Sequence, residues 1–178
     1  TTTACPTVTG IGTARATGGV TMAMTNGWVT VPSGPTLTPT AVKCFGGNTG
    51  SISLSNPQGT TPMTYTWAGP GINGTNQGQQ NPTGLIAGTY TVTVTYGGGS
   101  TGTGTAIVAQ PAAALSQTNM VSTVSCFGGN NGAINLMPAG GTAPYTFNWT
   151  HGPTTEDVNN LGVSIYTVTI KDLNDCTL

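Results

Sequence analysis

The chain has 178 residues, of which only 4% are charged, and its formal net charge is −1. Its three basic residues, Arg15, Lys43 and Lys171, cannot neutralise a phosphate backbone, which argues against nucleic acid as a partner. No apolar run approaches the roughly 20 residues of a membrane helix, so no membrane insertion is expected. Thr, Gly, Asn and Ser replace the missing charge while hydrophobic residues still make up 36%, which argues for a packed core and against disorder. A near-neutral surface also does little to keep copies apart.

The opening TTTACP is neither basic nor apolar, so the chain reads as a processed or excised piece of a soluble protein. Residues 1–40 are too few for a complete sandwich, but they hold two strand signals. ACPTVTGIGT (4–13) is extended in character and uncharged, with Val8 and Ile11 as candidate subunit contacts. VTMAMT (20–25), Asn26-Gly27 and WVTV (28–31) read as a hairpin with a two-residue turn. That turn sets Met24 opposite Val29 and Met22 opposite Val31, gathering an apolar face from which Trp28 is turned away. Trp28 is thereby a candidate for a subunit contact, for a ligand patch or for covering the sheet's other side. PSGPTLTP (32–39) leads on as a strand edge or a short linker. Residues 1–40 are expected to add strands to the domain that begins at residue 41 or to form a satellite layer.

From residue 41 the chain repeats itself. CFGGNTG (44–50) returns as CFGGNNG (126–132), and at the same offset of 82 residues Gly50, Ile52 and Leu54 fall on Gly132, Ile134 and Leu136. Pro62, Tyr65 and Trp67 fall likewise on Pro144, Phe147 and Trp149. The first copy then carries an insertion, after which GTYTVTVTY (88–96) meets SIYTVTIKD (164–172). Polar and apolar residues alternate in these segments, so Tyr90, Val92 and Val94 share one face, as do Tyr166, Val168 and Ile170. Short strands between Gly, Pro and Asn clusters, with one Trp in each copy, predict an all-β chain of tandem immunoglobulin-like sandwiches. The expected division is 1–40, 41–122 and 123–178.

The order VxCFGGNxGxIxL, PYTFNW, YTVTIKDLNDC resembles the SprB-type repeats of Bacteroidetes surface adhesins and gliding-motility proteins, over about 41–178. The resemblance implies an extracellular, non-enzymatic sandwich module, usually strung in arrays as a spacer or adhesive element. Copy one departs from it: YGGGST (96–101) stands in place of KDLNDCT (171–177), and Ser100 occupies the place of Cys176. Four widely spaced cysteines fit two disulfides in an oxidising compartment, and four cysteines permit three pairings. With Cys126 paired to Cys176 inside the second repeat, Cys44 is left with Cys5, and these are the two bridges expected.

In copy one TGTGTAIVAQP (101–111) reads as a final strand returning on YTVTVTY, whereas copy two stops at Leu178, just after the corresponding turn. If Leu178 is a true end, the second repeat exposes a row of unpaired backbone groups. A neighbour's 4–13 segment then fills the gap head-to-tail; alternatively Leu178 is a boundary and the strand continues in the parent protein.

Little here carries chemistry. His151 is the sole histidine, and a general base or metal ligand needs partners that do not accompany it. Asp172 and Asp175 flank a turn and read as an Asx-type turn before a calcium site. The equivalent Trp67 and Trp149 read as core. The insertion AGPGINGTNQGQQNPTG (68–84) is amide-rich, an exposed tip for adhesion through Asn73, Asn76 and Gln77, or only a tolerated loop. Asn73-Gly74-Thr75 and Asn148-Trp149-Thr150 match the N-glycosylation triplet. No enzyme activity, cofactor or metal is expected. The reading is a secreted cell-surface protein that self-associates into a filament or forms a segment of a repetitive adhesin, with a glycan-binding module using 68–84 or Trp28 as the alternative.

Overall fold

The computed structural model describes residues 24–25, 28–29, 34–55 and 61–178, and everything described is strand, turn or loop. β1 (Met24–Thr25) and β2 (Trp28–Val29) form the expected hairpin, with Met24 opposite Val29 and Thr25 opposite Trp28. The further pair expected between Met22 and Val31 lies outside the described residues.

The chain divides into two compact units, residues 1–41 with 50–109, and residues 42–49 with 110–178. The segment Ser116–Ser122, expected in the first repeat, is a strand (β9) antiparallel to Gly132–Ala139 (β10) and so opens the second unit. Its counterpart Thr36–Thr40 (β3) pairs with Gly50–Ser55 (β4) and opens the first. A strand's hydrogen-bonded partner, rather than the position of a sequence motif, decides to which core it belongs.

In the first unit one sheet runs β3-β4-β6, with β6 at Thr83–Leu85, and the other runs β5-β7-β8. β5 spans Thr64–Ala68, β7 Gly88–Thr95 and β8 Thr101–Val108. Alternation places every second residue inward, and Ile52, Leu85, Tyr90, Val92 and Val94 are all 0% exposed. The expected final strand is β8, which pairs with β7 along its whole length, from Thr95 opposite Thr101 to Gly88 opposite Val108. Its inward residues are small: a Cβ on Gly104 would meet the Leu37 side chain at 3.1 Å, so β8 passes close against β3.

The second unit repeats this plan with one strand fewer among the described residues. One sheet runs β12-β10-β9, with β12 at Val158–Leu161; the other holds β11 (Thr146–Trp149) and β13 (Val168–Lys171). Its core gathers Leu136, Trp149, Val158, Leu161 and Ile170, with Ile134, Tyr166 and Val168 only partly buried at its margin.

Two hydrogen bonds invisible to the strand pattern recur in both units. The indole Nε1 of Trp67 donates to the Gln79 carbonyl at 2.7 Å, and that of Trp149 to the Thr155 carbonyl at 2.9 Å. The Leu54 amide donates to the Asn81 side chain at 2.8 Å, and the Leu136 amide to the Asp157 carboxylate at 2.9 Å. Both tryptophans are 3% exposed, so each buries a large apolar body while a backbone acceptor satisfies its one donor.

The margin of the second core sets an expected contrast in stability. Ile52→Ala, at a fully enclosed site, should cost about 3 kcal/mol, within the usual range for such truncations. The equivalent Ile134→Ala should cost less than half as much, because water already reaches that side chain. Urea unfolding of the two variants, read on each unit's transition, checks this; equal losses would contradict it.

Candidate functional site

The features that can act outside a core lie mostly in the second unit: its closing turn, the groove beside its sheet and its exposed corner. The closing turn, Asp172–Cys176, is built around one carboxylate. Asp172 is 4% exposed; its Oδ1 accepts from the amides of Asn174 (2.8 Å) and Cys176 (2.9 Å), and its Oδ2 from the amide of Thr142 (2.9 Å). Burial pushes the Asp172 carboxyl up, but the three backbone donors outweigh it and hold the group below the ordinary carboxylate range. Asp175 points elsewhere, pairing with Lys171 at 3.2 Å across the exposed surface, and adopts a positive φ of 65° that completes the turn. The turn is of Asx type, but its hub Asp172 is buried and does not lie in the solvent as expected.

A disulfide joins that turn to the corner of the first repeat. Cys44 is bonded to Cys176, with Cα atoms 5.7 Å apart and 132 residues between them in sequence. The expected pairing is corrected: Cys176 is taken by Cys44, and Cys126 is exposed with no disulfide partner among the described residues. Cys5 lies outside those residues. The physical reason is the placement of residues 42–49, which are part of the second unit. Asn174 fastens the same junction, its Nδ2 donating to the Lys43 carbonyl at 3.2 Å and to Thr142 Oγ1 at 3.0 Å.

Beside this turn a return strand begins. Ile170 and Leu178 exchange two backbone hydrogen bonds of 2.9 Å each, and Lys171 bridges Thr177. These residues correspond to the first two positions of β8. Residues 164–167, which correspond to Gly88–Thr91 of β7, are not strand, as expected where no partner ladder supports them. Alongside lies a groove of about 440 Å³ lined by Val121, Val124, Ile134, Leu161, Val163 and Tyr166, among others. Val163 is 88% and Ile165 91% exposed.

The insertion 68–84 is a folded cover clamped from within. Asn76 is buried, not at the tip: its Oδ1 accepts from the Asn73 amide at 2.7 Å and its Nδ2 donates to the Gly71 carbonyl at 3.2 Å. Gln80 Nε2 reaches the Leu54 carbonyl at 3.0 Å, and Gln79 Nε2 the Thr75 carbonyl at 2.8 Å. The Tyr90 hydroxyl ties the base of the loop to the Ile86 and Pro70 carbonyls. Asn73 and Gln77 remain exposed. The Trp28 side chain, Val8 and Ile11 lie outside what is described. The His151 ring packs edge-on between Trp149 (5.8 Å between centroids) and Tyr166 (4.7 Å), a packing role.

The closing turn gives rise to two expected outcomes. Cys44→Ser should lower the stability of the second unit by about 2–5 kcal/mol, through the freed loop entropy of the unfolded chain, with a smaller effect on the first; calorimetry resolving two transitions checks it. Asp172, held ionised in the folded state, contributes stability that is fully present above its unfolded value, near 3.9, and is lost as pH falls through the lower folded value. Thermal melts between pH 7 and pH 2 should therefore show Asp172→Asn less stable than the parent at neutral pH, with the difference shrinking in acid. A constant difference would contradict this.

Comparison with known families bears on the repeated unit. No curated protein matches the chain. The family described as the SprB repeat matches it twice, over residues 36–71 and 118–154, and the two matches start in corresponding strands, β3 and β9. Both tandem copies of this chain therefore carry a match to the SprB repeat.

Proposed function

We propose that this is a structural or adhesive protein of the cell surface, whose work is done by surfaces that join repeats and copies rather than by a catalytic centre. The observation that carries the reading is the groove of about 440 Å³ in the second unit, beside residues 164–167, which are not strand. In the first unit the same position is filled by β8, whose inward Gly102, Ala106 and Val108 are buried. In the second, the corresponding edge is bare beyond Ile170 among the described residues. An unpaired strand edge beside an apolar groove is a template for another strand.

The occupant we favour is the uncharged segment 4–13 of a neighbouring copy, in which Val8, Gly10 and Gly12 share a period-two face. That face is small and apolar, as is the inward face of β8. Such contacts are head-to-tail, and a head-to-tail contact that does not close makes a filament. A strand that continues in a longer repetitive adhesin fills the same groove in cis and leaves the protein's mechanical role unchanged. The match to SprB repeats supports an extracellular surface location, and the disulfide suits an oxidising compartment. The glycan-binding alternative has less support, since the amides of Asn76 and Gln79 are spent inside the 68–84 loop and that of Gln80 on the Leu54 carbonyl of β4.

Negative-stain microscopy of the full chain at high concentration should show long regular fibres, and removal of residues 1–13 should abolish them. Monomers alone under all conditions would overturn the filament form. Binding on a glycan array that is lost with Asn73→Ala and Gln77→Ala would favour the alternative.

A further inference from the structure

The chain contains one corner twice, once seated and once bare. The two loops share their internal conformation. The Gly47 amide donates to the Cys44 carbonyl at 2.9 Å and the Gly129 amide to the Cys126 carbonyl at 3.0 Å. Lys43 donates its amide to Thr49 Oγ1 at 2.8 Å, and Ser125 its amide to Asn131 Oδ1 at 3.1 Å. Gly46 and Gly128 have φ of 72° and 75°, the left-handed conformation that glycine adopts without strain. The loop's shape therefore comes from its own residues and does not depend on docking.

The surroundings differ. In the first corner Val42 is 2% exposed and Phe45 47%; the Gly46 amide donates to the Gln110 side chain at 2.8 Å, and Cys44 is bonded to the closing turn. In the second corner Val124 is only half-buried, Phe127 is fully exposed and Cys126 is unbonded among the described residues. A preformed loop with an exposed Phe and thiol, whose twin is seated and disulfide-bonded, is an unoccupied half of the same joint.

We infer that the corner at 124–131 is a docking site for a further SprB-type repeat, and that Cys126 forms a disulfide with the cysteine of that repeat's Asp-Leu-Asn-Asp-Cys closing turn. The rule is directional: the corner of each repeat passes to the unit that comes after it and is stapled to the turn that closes it. Ser100 in place of a cysteine marks the first unit as one whose closing turn receives no such corner. The joint rests on the reading of the protein as an array of repeats, but not on how the open sheet edge is filled. Chemically, two thiols lose two protons and two electrons to a small-molecule disulfide oxidant, which leaves as two thiols, by exchange through a mixed disulfide.

The test extends the full chain past Leu178 with a second copy of its own residues 103–178, which supplies a completing strand, a Gln110 and a DLNDC turn. After oxidation with oxidised glutathione, non-reducing peptide mapping should find Cys126 joined to the appended copy of Cys176, with Cys44–Cys176 retained and Cys126 alkylation lost. Cys126 left alkylatable, or joined to Cys5, beside an intact Cys44–Cys176 bridge overturns the inference. Loss of both bridges overturns the shared premise that a corner seats on a closing turn. In a Cys126→Ser background, amide exchange at Gly128–Asn131 should still slow on extension, because docking precedes the bond; unchanged exchange also counts against the site. Fibre formation by the unextended chain is scored separately, so failure of the filament reading and failure of this joint are distinguishable.

Discussion

Each sandwich depends on the ladder along one strand, β7 in the first unit and β13 in the second. Where the ladder is complete, from Thr95–Thr101 to Gly88–Val108, the apolar residues beneath it are sealed: Tyr90, Val92 and Val94 have no exposure. Where it stops at the exchange between Ile170 and Leu178, the equivalent Ile170 is sealed at 1% while Val168 and Tyr166 are only partly buried. The gradient runs along one strand of one chain, with the core residues nearly the same in kind between the copies. Backbone pairing at the edge, rather than the choice of side chain, decides how dry each core is.

A second constraint operates at the closing turn. Asp172 has no counter-ion among its hydrogen-bond partners; it is held by three backbone amides, which is enough to keep a buried carboxylate ionised. By ordering residues 172–176 it presents Cys176 to Cys44 and Asn174 to the Lys43 carbonyl. In copy one the turn is Tyr96-Gly-Gly-Gly-Ser100, without a carboxylate or a cysteine, and no staple is made there. The acid and the cysteine work as a pair: one sets the turn and the other uses it. The corner loops obey the opposite logic, being shaped by their own glycines and amide bonds and merely placed by what they dock against.

Much of this was legible beforehand, for identifiable reasons. The hairpin register of Met24 with Val29 comes from a two-residue Asn-Gly turn, and β8 from the alternation of TGTGTAIV beside a Gly-rich turn; both are local, and local spacing is what a sequence displays. The repeat offset likewise placed Trp67 and Trp149 in matching cores. The indole and Asn81/Asp157 hydrogen bonds leave no trace in the strand pattern; their one sequence signal is that Asn81 and Asp157 occupy equivalent repeat positions. Asn76 misled because an amide in a polar loop looks the same whether it faces water or the loop's own carbonyls.

By itself the sequence determined the all-β class, the tandem copies, the strand faces and the returning final strand of the first copy, since each depends on period-two patterning or internal repetition. Only the tertiary structure decided that the units divide before β9, that residues 42–49 belong to the second unit, and that Cys44 therefore meets Cys176. Cysteines bond according to proximity in space, and proximity across 132 residues is set by which sheet each strand joins. That choice is made through backbone hydrogen bonds, which are chemically the same at every position and leave no mark on the order of side chains.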